Sequence, residues 1–356
     1  MDEVEMGLFS RRKKANVVQQ EMKKTPLYEC IKTNCIDGIL PNDFSLPQDE
    51  EPGKLRFADG AMDGILLFHT GGQRPLDEDG RTKMEELVQL ISDTYKDDNE
   101  QGHITDETLR AFMKEHLALS VIDEIQQYIR QNDDKLNAEN IYYYGIKQML
   151  TSTDKECVKF GLLLLELFTL KNEHMKEILR TFALSDEFTL FVLFIMEQWD
   201  NAAEEIFNVA KKVNGWGRVH AVERLEPVTE EIKEWLLYEG INNQILPAYS
   251  ARTCYEKAEV EKRLFETPCG ELSIQDYRSI GMILYEMLEE GPVAGISAVK
   301  NRREVLKVYL EHGLSAQKDD LLTAKEYEYI SAIKKYLQEE IEEVQSEELK
   351  EEKDID

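Results

Sequence analysis

Long apolar runs are missing from this chain. Its greasiest region, Leu162–Leu165, is broken by Glu166 and flanked by further charges. No span of about 20 apolar residues is left to cross a bilayer. Positive charge is scarce too: 43 Lys and Arg stand against 71 Asp and Glu, a formal net charge of −28. Such a surface repels phosphate backbones and anionic membranes unless basic residues gather locally, which makes nucleic acid and membranes disfavoured partners. Cysteines are few, odd in number and scattered: Cys30, Cys35, Cys157, Cys254 and Cys269. They suggest no disulfide framework, and the reducing cytosol is the simplest setting. The basic run Arg11–Lys14 has no apolar stretch after it of the kind a signal peptide needs, so the expectation is a soluble cytoplasmic protein.

Recognisable catalytic constellations are missing as well. The six histidines, His69, His103, His116, His174, His220 and His312, form no His-x-x-x-His pair. There is no Gly-x-Ser-x-Gly elbow and no Gly-x-Gly-x-x-Gly opening a helix after a strand. Glu100 and His103 alone have the Glu-x-x-His spacing, in a polar stretch read as a loop, whereas a di-iron bundle needs two such pairs. Cys30 and Cys35 lack the second short-spaced pair of a structural zinc site. The expectation is no cofactor, no metal and no catalytic residue.

What the chain has is helix pattern. With 356 residues and 42% hydrophobic content it suits two domains or one elongated solenoid. Four segments are expected: a polar arm over 1–26, a turn-rich cap over 27–80, helical repeats over 81–336 and an acidic tail over 337–356, with ten acids against two lysines from Gln338 onward. In the cap, Asp-Gly-Ile-Leu occurs at Asp37–Leu40 and again at Asp63–Leu66, reading as turns before short strands or extended segments. Asp59, Asp63 and His69 fall there and offer polar groups for a site, although loop aspartates before glycine also stabilise their own turns.

Beyond Gly80, capping-box spacings at Thr82/Glu85, Thr153/Glu156, Ser273/Asp276 and Thr323/Glu326 place helix starts near 83, 154, 274 and 324. From Thr153 to Gly240, helices pair: an apolar one (155–168, 187–199, 216–225), then an amphipathic one starting at Asn172, Asn201 or Thr229. A period near 30 belongs to helix-pair repeats, which bury their apolar stripes only by stacking on neighbours. The segment Trp216-Gly-Arg-Val-His-Ala-Val-Glu-Arg-Leu225 resembles the first helix of a short HEAT-like or armadillo-like repeat. That resemblance implies an all-α, right-handed α-solenoid with a small irregular or short-stranded N-terminal cap. Phe57–Gly72 is similar to Gram-positive proteins labelled limonene hydroxylase. This second likeness implies an oxygen-activating cofactor, for which the chain shows no ligand pattern.

Trp216, His220 and Glu223 share one helical face, with Arg218 and Arg224 adjoining and Lys211 and Lys212 one helix back. Two readings stand. The face is a basic and aromatic patch that docks an acidic peptide or protein, or Trp216 packs in the seam between repeats while the arginines pair with glutamates. The leading functional expectation is a non-catalytic scaffold holding a protein or peptide partner. An enzyme using Asp59, Asp63 and His69, such as a monooxygenase, is one alternative. A HEAT-type DNA glycosylase is the other, and the acidity opposes it.

Overall fold

The computed structural model of the protein describes residues 25–47, 57–72, 74–94, 100–291, 293–318 and 320–354. Most of the expected N-terminal arm lies outside them. Among these residues the chain is all-helical and repeat-like, with 17 α-helices, a single 3-10 turn at Ile296–Ala298 and no strand. Side chains start many of the helices by accepting an orphan backbone N–H. Asp77, Asn137, Asp154, Asn172, Thr229 and Ser273 all cap in this way. The second helices of the repeat begin at Glu173, Ala202 and Glu230, one residue after each expected start.

Two compact units divide the chain, residues 1–221 and 222–356. The first holds α1 (Leu27–Asn34), α2 (Ala61–Thr70), α3 (Glu78–Asp93), α4 (Glu100–Glu115), α5 (Ala118–Gln131), α6 (Ala138–Thr151), α7 (Lys155–Leu165), α8 (Glu173–Phe182), α9 (Asp186–Met196), α10 (Ala202–Ala210) and most of α11 (Trp216–Arg224). At its centre, α7 packs against α4, α5, α6 and α9, and α9 packs against α8 and α10. Both central helices are oily nearly all round. Every residue from Cys157 to Leu165 is buried, as is Glu187–Leu193, the pattern of a helix sandwiched on several sides. The α6/α7 crossing is close because glycines meet there. A Cβ on Gly161 would stand 2.7 Å from the Gly145 carbonyl oxygen, and one on Gly145 would stand 3.0 Å from that of Gly161.

The second unit contains α12 (Glu230–Tyr238), α13 (Ala248–Lys257), α14 (Val260–Glu266), α15 (Ile274–Glu286), α16 (Arg302–Lys318) and α17 (Ala324–Asp354). Helices α15 and α16 interlock reciprocally. The Tyr277 and Tyr309 rings stack with centroids 4.5 Å apart, and each hydroxyl lies where a Cβ on the other helix's glycine, Gly313 or Gly281, would be. Helix α17 is clamped by Glu340, which accepts from Arg302 at 2.6 Å and Arg303 at 2.8 Å.

Three local expectations change. The first Asp-Gly step is a turn, with Asp37 and Gly38 both at positive φ and Ile36 bridged to Ile39. The second lies inside helix α2 instead of leading into a strand. Gly60, at φ 76°, breaks the chain direction, and the residues after it bury Ala61, Asp63, Gly64 and Leu66, a helical rather than alternating pattern. Helix α3 starts at Glu78 behind Asp77, so Thr82 sits inside it and its hydroxyl donates back to the Glu78 carbonyl. Glu100 and His103 fall in the first turn of α4, not in a loop.

Candidate functional site

The most unusual chemistry in the first unit is a buried ionic cluster where α2 meets the first turns of α7 and α9. Lys159 projects from the apolar helix α7 and is fully buried. Its Nζ lies 2.5 Å from Asp63 Oδ2, 2.6 Å from Glu187 Oε1 and 2.7 Å from Glu156 Oε1. One helical turn earlier, Lys155 Nζ lies 2.6 Å from Asp59 Oδ1 and 3.1 Å from Glu187 Oε2. Backbone groups serve the remaining oxygens. Gly60 N–H donates to Glu187 Oε2, Leu46 N–H to Asp59 Oδ2, Ala118 N–H to Glu156 Oε2 and Gly217 N–H to Asp186 Oδ1. Asp63 is the exception: it is 1% exposed, its contact with Lys159 is an ion pair without directed hydrogen-bond geometry, and Oδ1 has no hydrogen-bond partner.

Environment sorts these carboxyls. Burial pushes Asp63 up to about 6, with Lys159 pulling it down and Glu156 and Glu187 adding to the rise. Burial raises Asp186 to about 6 also, against the Gly217 N–H and with help from Asp59. Glu187 is as deeply buried, yet Lys159 and Lys155 outweigh the desolvation and hold it down at about 2. Burial works against the Lys159 ammonium too, but Glu187, Asp63 and Glu156 together keep it charged well beyond the ordinary lysine range. Asp63 and Glu187 are thus near neighbours driven in opposite directions, because one ammonium, Lys159, is shared between them and Glu187 has Lys155 as well.

Asp63, Glu156 and Glu187 offer oxygens within 4.8 Å of one another, a spacing that suits a metal ion. The Lys159 ammonium already stands among them at 2.5–2.7 Å from each. It acts as a tethered cation in the place an ion would take.

Helix α2 is held by more than charge. Its glycine face lies flat on α11: a Cβ on Gly64 would fall on the Trp216 ring, and one on Gly60 would meet the Asp186 carbonyl oxygen at 2.5 Å. Phe68 stacks on His220 at 6.0 Å between centroids and tilts against Trp216 at 6.2 Å.

The structure therefore joins Asp59 and Asp63, while His69 points to solvent from the far end of α2. Trp216, Arg218 and His220 are buried, whereas Lys211, Lys212 and Glu223 are exposed and Arg224 is half-buried. Lys212 lies beside the 37–38 turn, its Nζ 3.5 Å from where a Gly38 Cβ would stand. In the second unit, Glu223 accepts from Thr253 at 2.6 Å. Sequence reasoning gave no site role to Lys155, Glu156, Lys159, Asp186 or Glu187. The available signal was charge without a polar face, a lysine between Val158 and Phe160 and an Asp-Glu pair opening the oily helix at 186. No protein-family model, curated protein or solved structure matches the chain.

Proposed function

We propose that this chain is a non-catalytic helical-repeat scaffold of the HEAT or armadillo kind, a right-handed solenoid of helix pairs that holds a protein or peptide partner in the cytosol. The observation that carries this reading is that the helix pairs already hold a segment of chain: α7, α9 and α11 together grip α2 and the turn before it through two lysines, an aromatic pair and a glycine contact. The regular helix starts at 173, 202 and 230 support it further. So does the way the strongest polar group in the core, Lys159, is committed to tying elements together. An acidic partner suits Lys211 and Lys212, which are exposed on a chain of opposite overall sign.

The test is affinity purification from the native host with wild type, a Lys211→Ala/Lys212→Ala double variant, Trp216→Ala and Arg218→Ala. A partner recovered by wild type and lost by at least one folded variant supports the proposal. Identical recovery by all four, or no partner at all, overturns it. An enzyme acting through Asp59 and Asp63 is the second reading, favoured by the elevated Asp63 carboxyl beside a lysine. Its weakness is access, since Lys159 and Asp63 are both sealed from solvent.

A further inference from the structure

Helix α2 differs from its neighbours in how it is held. It is ten residues long, and Gly60 at its start has no side chain to accept the first N–H groups. Its outer side exposes Met62 (40%) and Ile65 (39%), and its last residues, His69 and Thr70, are exposed as well. Its inner side is a matched set of contacts. Asp59 and Asp63, four residues apart, meet Lys155 and Lys159, also four residues apart. Gly60 and Gly64, again four apart, let the backbone approach Asp186 and Trp216, and Phe68 completes the row on His220. Asp59 and Gly60 belong to the turn that leads into α2, while Asp63, Gly64 and Phe68 lie on the helix itself at i, i+1 and i+5, so a turn and a short helix together lie on the groove as a helical ligand lies on its receptor.

The fit carries a flaw that a permanent core contact would not need. Asp59, Asp63, Glu156 and Glu187 outnumber Lys155 and Lys159, and Asp186 adds another acid at the margin. Asp63 bears the excess, buried at 1% exposure with Oδ1 unserved. Undocking α2 takes Asp59 and Asp63 out of that crowd and returns both to water. The remaining receptor is then Lys155, Lys159, Glu156 and Glu187 beside an uncovered Trp216–His220 pair.

We propose that α2 is an intramolecular occupant of a helix-binding groove formed by α7, α9 and α11, and that the groove's external ligand is a short acidic helix of a partner protein. That ligand presents one carboxylate from its first helical turn to Lys159, a second from the turn just before the helix to Lys155 and a small residue to Trp216, and it gains access by displacing α2. This rests on the scaffold reading and adds the partner's chemistry and a built-in competitor. Because the receptor is occupied most of the time, the apparent affinity for a partner is the intrinsic one scaled by the fraction of molecules with α2 released.

Two measurements on the full-length protein test it. Amide hydrogen exchange compares α2 with α7. If α2 is an occupant, its amides exchange by local opening while those of Lys159–Leu165 exchange only with global unfolding. Fluorescence anisotropy then follows a labelled synthetic peptide with the sequence of residues 57–72. Gly64→Leu, which drives a side chain into the Trp216 ring, should release α2 and tighten peptide binding about tenfold or more over wild type. A peptide carrying Asp59→Asn and Asp63→Asn should lose that gain. Equal exchange of α2 and α7 in wild type overturns the proposal, and so does a folded Gly64→Leu protein that binds the peptide no better. If Gly64→Leu does not fold, the wild-type exchange comparison decides alone. Peptide binding by the opened groove with no host partner recovered would retain this receptor and sink the scaffold reading. The reverse pattern, a host partner with no peptide binding, would do the opposite.

Discussion

Replacing Lys159 by Met removes the cation from the buried cluster while keeping the length of the chain and its apolar stem. Three carboxyl groups, Asp63, Glu156 and Glu187, then face one another with oxygens within 4.8 Å. Breaking a buried ion pair by deleting one partner costs about 3–5 kcal/mol, because an uncompensated charge stays behind. Protonation limits the damage. Placing a proton at pH 7.5 on a carboxyl whose ordinary value is 4.5 costs about 4 kcal/mol at 1.36 kcal/mol per pH unit, and at pH 5 it costs about 0.7 kcal/mol. The variant's acids have folded-state values raised above their unfolded ones, so the stability they contribute is present at low pH and lost as pH rises through the raised value. The deficit relative to wild type should therefore be larger at pH 7.5 than at pH 5 by about 3 kcal/mol, the difference between the two proton costs. For a unit of this size that is a further fall in Tm of roughly 6–12 °C at the higher pH. Urea unfolding followed by far-UV circular dichroism at the two pH values reads that difference. A deficit of equal size at pH 7.5 and pH 5, or a variant as stable as wild type at pH 7.5, would refute the claim that Lys159 is the charge partner of this cluster.

The wild-type protein should itself be most stable on the acid side of neutrality. Asp63 and Asp186, both raised to about 6, contribute stability that declines as pH climbs from their ordinary range through 6. Glu187, held at about 2, contributes stability that is lost as pH falls below its ordinary range, so the two trends meet at roughly pH 5. Asp63→Asn should shrink the difference in unfolding free energy between pH 5 and pH 7.5, and an unchanged difference would remove Asp63 from the account. In the second unit, Gly281→Ala places a methyl group against the Tyr309 hydroxyl. It should cost about 1–3 kcal/mol by overpacking, seen as a lower urea midpoint, with Tyr309→Phe recovering part of the loss. A neutral Gly281→Ala would show that the tyrosine pair yields freely.

How far these features could be read in advance depended on whether the responsible groups were close in sequence. Capped helices were legible because cap and acceptor lie within one turn: α15 and α17 begin at Ile274 and Ala324, where Ser273/Asp276 and Thr323/Glu326 place them. Thr153/Glu156 gave the right start for a partly wrong reason. Asp154 is the cap, and Glu156 is drawn away to Lys159 and the Ala118 N–H. The short helices α1, α2 and α13, of eight to ten residues, have no side-chain cap to announce them, and in α2 the Asp-Gly steps imitate turn chemistry; α9 and α10 lack such caps too and were legible from their apolar pattern and the repeat spacing. Trp216 gave an ambiguous signal: an aromatic residue at helical spacing suits a seam as well as a surface, and what settles its surroundings is Gly64, far away along the chain.

The ionic cluster is the instructive omission, because its parts were visible and only their pairing was not. Asp59 and Asp63 stood out as loop polar groups; Asp59 does lie in a turn, but Asp63 belongs to helix α2, and both reach the lysines of α7. Lys155 and Lys159 drew no attention, since lysines at a four-residue step usually mark a solvated face. Here Lys159 sits between Val158 and Phe160 with Gly161 and four leucines following, so that helix has no solvated face to give it. A charge in such a place must find its counter-charge inside the molecule. Glu156 and Glu187 supply part of that counter-charge, and the segment leading into and opening α2 supplies the rest. There Asp59 and Asp63 stand with glycine next to each aspartate, which lets two backbones come close enough for the short aspartate side chains to reach. The pairing spans 96 residues for Lys155 and Asp59. No local propensity encodes it; what the sequence does carry is the requirement that a buried lysine be neutralised, and that requirement alone names no partner among 71 acids.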